Sequence, residues 1–69
     1  MIKGSVIYQG KEIFSFTDIG YNNIDEIIKK LAGQCPRRFV PDGAKVDFRI
    51  DNLDKGEYRI FMRQKGKGF

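Results

Sequence analysis

A chain of 69 residues with net charge +4, one cysteine and no histidine implies a single domain of thin stability margin, because so short a chain buries only about 60% of its unfolded surface. One cysteine excludes an internal disulfide. The absence of histidine leaves too few ligands for an ordinary structural zinc site and no base for a serine or cysteine triad.

The first predicted element is a hairpin. Strand one covers Ile2–Gln9 and strand two Glu12–Thr17, joined through Gly10-Lys11, where glycine supplies the unusual angle of a two-residue turn. Both strands carry apolar residues on both faces. Ile2, Val6 and Tyr8 oppose Ile7, while Phe14 and Phe16 oppose Ile13. A sheet with one solvated face alternates more cleanly, so this hairpin is expected to need a second cover beyond a single helix. A second copy of the chain, in a homodimer, is one way to supply it.

The helix follows. Ile24, Ile27, Ile28 and Leu31 keep the i, i+3, i+4, i+7 spacing of one buried stripe. Asn23 is the expected N-cap, with Glu26 at the capping-box position. Asp25 and Glu26 in the first turn, and Lys29 and Lys30 near the last, suit the helix dipole. Gly33 is expected to close the helix in the left-handed conformation, and Pro36 blocks its extension. Cys35 then opens the loop CPRRFVPDG, residues 35–43. With no histidine to activate it and no second thiol, it reads as a half-buried structural residue. Arg37 and Arg38 stand exposed in that loop, where a planar guanidinium can clamp a phosphate or carboxylate.

Strand three, Lys45–Asp51, alternates cleanly, with Val46, Phe48 and Ile50 inward. Strand four, Glu57–Arg63, is read with Tyr58, Ile60 and Met62 inward and Arg59, Phe61 and Arg63 outward. A three-residue loop, Asp54-Lys55-Gly56, then sets Asp51 against Arg59, Arg49 against Phe61 and Asp47 against Arg63. The expected fold is α+β: a four-stranded, mainly antiparallel sheet in β-β-α-β-β order with one helix on one face. It occupies residues 1–64, and residues 65–69 form a flexible basic tail. This order lacks the second helix and the aromatic signature of an RNA-recognition motif.

Charge points to a partner. Residues 1–34 hold four lysines against four acids, and residues 35–69 hold nine Lys/Arg against five acids, so the whole excess lies in the second half. Arg49, Arg59, Arg63, Lys65 and Lys67 can reach phosphates, Phe61 can stack, and Arg37 and Arg38 extend the track. The leading expectation is a non-catalytic nucleic-acid-binding module. The alternative is a small regulatory or inhibitory protein that binds another protein, since arginine and aromatic residues also anchor protein interfaces. No cofactor or metal is expected. No apolar run nears the roughly 18–20 residues that span a bilayer, and MIKGSVIYQG lacks the apolar core of a signal peptide. A lone cysteine fits the reducing cytoplasm.

Overall fold

The computed structural model describes residues 1–18 and 23–66. Strands β1 (Ile2–Tyr8) and β2 (Lys11–Asp18) precede helix α1 (Ile24–Gln34). A single 3₁₀ turn at Arg37–Phe39 leads into β3 (Lys45–Asn52) and β4 (Glu57–Gln64). The sheet is antiparallel throughout, in the order β2-β1-β3-β4. The expected α+β fold is what forms. β2 and β3 are each antiparallel to β1, so they run in the same direction, and α1 carries the chain back across one face of the sheet.

The core lies between α1 and the two central strands. Ile27, Ile28 and Leu31 from the helix meet Val6 of β1 and Val46, Phe48 and Ile50 of β3, with Cys35 and Val40 closing one end. Asn23 caps the helix as its sequence indicates, its Oδ1 accepting from the Asp25 N–H at 2.9 Å. The other end differs. Gly33 is helical, and the helix runs on to Gln34 with Cys35 as C-cap in an extended conformation. Pro36 is the reason, because its ring disfavours helical geometry in the residue before it. Gly4 is required where α1 crosses β1. A Cβ there would lie 3.0 Å from Phe16 Cε1 and 3.2 Å from Leu31 Cγ and Cδ2.

In the first hairpin, the two-residue turn is Gln9-Gly10, both with positive φ (53° and 77°), and Tyr8 pairs with Lys11. This is the type I′ geometry whose twist matches the strands it joins. A β-bulge then resolves the excess of apolar positions. Val6 pairs with Phe14 and Ile7 with Glu12, leaving Ile13 as the extra residue. Ile13 thereby packs on the core with Phe14 and Phe16. The second face of this hairpin is left with Lys3, Ser5, Glu12, Ser15 and Thr17 around one apolar residue, Ile7. It needs no further cover.

The second hairpin departs from expectation by one residue. Asn52 pairs with Glu57 across a four-residue loop, Leu53–Gly56. The Asn52 carbonyl accepts from the Gly56 N–H at 2.9 Å, the Asn52 side chain accepts from the Lys55 N–H at 3.2 Å, and Gly56 has φ 69°. A one-residue change in register moves every side chain of a strand to the other face. Asp51 therefore lies opposite Tyr58, Arg49 opposite Ile60 and Asp47 opposite Met62. Ile50, Phe48 and Val46 lie opposite Arg59, Phe61 and Arg63. The expected core positions Tyr58, Ile60 and Met62 are on the face away from α1, and they are exposed.

Candidate nucleic-acid interface

β4 is an edge strand and α1 rests on β1 and β3, so among the described residues the helix-side row of β4 is only partly covered. That row begins with Glu57 and continues through Arg59, Phe61 and Arg63. Arg59 is exposed and lines a cleft of about 490 Å³ with Ile2, Ile24, Ile27 and Asn52. Phe61 is half-buried against the core, so it supplies an apolar floor and not a free stacking face. The Arg63 guanidinium lies 5.8 Å from the Phe61 ring centre, and its Nη1 donates to the Met62 carbonyl at 2.9 Å.

The register places Arg59 and Arg63 opposite Ile50 and Val46, where two aspartates were expected. Among the described residues neither arginine has an ion-pair partner. Arg37 and Arg38 are exposed on the 3₁₀ turn, with Arg38 lying 5.7 Å from the Phe39 ring centre.

Two of the expected contacts are placed elsewhere. Arg49 is on the opposite face. Its Nε bonds both oxygens of Asp51 at 3.1 and 3.2 Å, and its guanidinium stacks on Tyr58 at 4.3 Å. Lys65 is not part of a free tail. Its N–H donates to the Ala44 carbonyl and its own carbonyl accepts from Gly43. Its ammonium donates to the carbonyls of Arg37 and Val40 and lies 3.6 Å from Asp42. The physical reason is the turn at Pro41–Ala44, closed by the Ala44 N–H on the Pro41 carbonyl at 3.1 Å. Together with the 3₁₀ turn before it, whose backbone bond runs from the Phe39 N–H to the Pro36 carbonyl at 3.0 Å, it leaves the Arg37 and Val40 carbonyls without backbone donors among the described residues, and the Lys65 ammonium satisfies them. Lys67 lies outside the described residues.

The face away from α1 has a different character. Lys3, Lys45 and Arg49 are balanced there by Glu12, Asp47 and Asp51, so it offers a polyanion no net attraction. The Glu12 carboxyl is held below its ordinary value by the Ser5 hydroxyl and then by Lys3, whose ammonium lies 3.2 Å away. The buried Ser5 hydroxyl approaches that carboxylate loosely, short of a well-formed hydrogen bond. Cys35 is buried, and desolvation pushes its thiol up while Lys65 opposes the shift. Among the described residues no three His, Cys, Asp or Glu side chains gather to hold a metal ion, and no helix is long and apolar enough to cross a membrane.

The feature that sequence reasoning missed is the exposed row Tyr58, Ile60 and Met62. Its signal was Asn52, whose side chain caps a four-residue loop that a three-residue reading ignores. No family model, curated protein or solved structure matches this chain.

Proposed function

We propose that this protein is a small non-catalytic module that binds the sugar-phosphate backbone of a nucleic acid along the helix-side row of β4. Arg59 and Arg63 engage phosphates, and Arg37 and Arg38 extend the track from the 3₁₀ turn. The observation that carries this reading is the unneutralised charge of Arg59 and Arg63, which face apolar residues across the strand pair. Four residues along a strand separate them by about 13 Å, so they meet different phosphates. Such contacts position a backbone and carry no sequence preference. A cytoplasmic setting, where a lone thiol stays reduced, belongs to the same proposal.

Salt tests it. Four phosphate contacts on a single strand give a log–log slope of about −2.8, so affinity falls about 50-fold between roughly 50 and 200 mM salt. Fluorescence anisotropy with single- and double-stranded oligonucleotides measures this directly. Arg59→Ala/Arg63→Ala should halve the slope and weaken binding, whereas Arg49→Gln, on the other face, should change neither. Absence of binding at the lower salt, or a double variant that binds like wild type, rejects the proposal. A second reading, a module that binds a protein, is favoured by one observation: the exposed apolar row on the opposite face.

A further inference from the structure

Among the described residues β4 has no strand partner on its outer side. It runs for eight residues without a shift in its pairing to β3, and Tyr58, Ile60 and Met62 are exposed to 58, 51 and 63%. The other edge, β2, is bulged, and its exposed residues are Lys11, Glu12, Ser15 and Thr17. Bulges and polar side chains are how sheets blunt an edge; β4 has neither protection on this face. Its backbone is also poised to pair. Lys65 turns both its N–H and its C=O toward Gly43 and Ala44. Alternation along the uninterrupted strand then directs the N–H and C=O groups of Tyr58, Ile60 and Met62 outward to the free edge.

We infer that two copies of this chain pair through β4, antiparallel about a two-fold axis at Ile60, to form one sheet continuous across both copies. Charge selects this register. An axis at Arg59 sets that residue against itself. One at Phe61 sets Arg59 against Arg63, and one at Met62 strands Tyr58 opposite Gly66, beyond the strand. Like charges directly opposite are unfavourable. An axis at Tyr58 strands Met62 beyond the pairing. The axis at Ile60 sets Arg63 across from Glu57 of the second copy, Arg59 across from Phe61, and Tyr58 across from Met62. From Glu57 to Arg63 every side chain meets a compatible one, and the apolar row becomes continuous across the axis. The interface is self-complementary, as a two-fold requires.

Backbone pairing closes with it. Ile60 pairs with its own copy and Tyr58 with Met62, each pair exchanging two N–H···O=C bonds. The Met62 carbonyl already accepts from Arg63, and its second lone pair remains available. Pairing needs no ligand; it sets Arg63 beside Glu57 of the second copy, while Arg59, across from Phe61, keeps its charge free for a phosphate.

Sedimentation equilibrium across the micromolar range should give twice the 8.0 kDa chain mass. Ile60→Pro removes an edge N–H but no bond to β3. It should return the mass to 8.0 kDa with the strand signal of circular dichroism retained. Cysteine cross-linking reads the register without relying on that variant. At a paired position Cα atoms lie about 5.5 Å apart, within disulfide reach. Under a mild oxidant Ile60→Cys should therefore form a covalent dimer. Met62→Cys, at a more exposed position but separated from its copy by more than about 13 Å, should not. The native Cys35 is buried in both variants. A wild-type chain that stays at 8.0 kDa, or Met62→Cys cross-linking as readily as Ile60→Cys, overturns the inference.

Discussion

Replacing Lys65 with methionine separates a phosphate-binding lysine from a structural one. The substitution keeps the aliphatic stem and removes three N–H donors. In the folded protein the ammonium donates to the carbonyls of Arg37 and Val40, with the side chain only 10% exposed. Bonds from a charged donor contribute about 1.5–3 kcal/mol each. The ion pair with Asp42 adds little, because that carboxylate is almost fully solvated. Desolvation of the ammonium offsets part of the gain, so the variant should lose about 2 kcal/mol. Sixty-nine residues at roughly 0.05–0.15 kcal/mol each hold about 3.5–10 kcal/mol in all. The loss is thus a large fraction, and it lowers Tm by about 8–16 °C in a domain this small. Thermal melts followed by far-ultraviolet circular dichroism measure it. The salt slope of oligonucleotide binding, taken well below the melt, should not change. A melting temperature within about 3 °C of wild type, together with a slope reduced by about 0.7, would show that Lys65 contacts phosphate and would refute the structural role.

Gly4→Val should cost about 2–3 kcal/mol in chemical denaturation, because the branched side chain must displace Phe16 and the fully buried Leu31; a neutral effect would mean that α1 does not cross β1 so closely. Gly33→Ala should raise stability by about 0.5–1 kcal/mol, since this glycine is helical and a Cβ there meets nothing within 4 Å. A loss would place it in the left-handed conformation instead. Glu12 has a depressed folded-state pKa, so its contribution is present above the ordinary value of 4.5 and disappears as pH falls through the lowered one. Tm of wild type should therefore decline through that acid range more steeply than that of Glu12→Gln, and parallel curves would exclude the Ser5–Lys3 environment as the cause. The Cys35 thiol, buried and shifted upward, should resist iodoacetamide in the native protein at neutral pH and react fully in denaturant; rapid native alkylation would contradict its burial.

Local signals were legible in the residues themselves. The apolar stripe of Ile27, Ile28 and Leu31, the Asn23 cap and the strict alternation of β3 each rest on neighbours within a few positions. So do the element types, their order and the α+β class. The proposed binding surface depended on contacts the local pattern does not contain. β4 reads equally well with Tyr58, Ile60 and Met62 inward or with Phe61 inward, because an edge strand beside one helix can tolerate arginines on its covered side. The tie is broken by a single additional loop residue, held by the Asn52 side chain and the positive φ of Gly56. That choice carried Arg49 to one face and Arg59 and Arg63 to the other, and it exposed the apolar row. The Ile13 bulge likewise exists only because β2 must fit β1. Lys65 is drawn inward by carbonyls that a turn more than twenty residues earlier leaves unpaired. Periodicity has a range of one or two turns or strand repeats, whereas register, strand order and ion placement are settled by pairings between distant segments, where one residue of slip reverses a face.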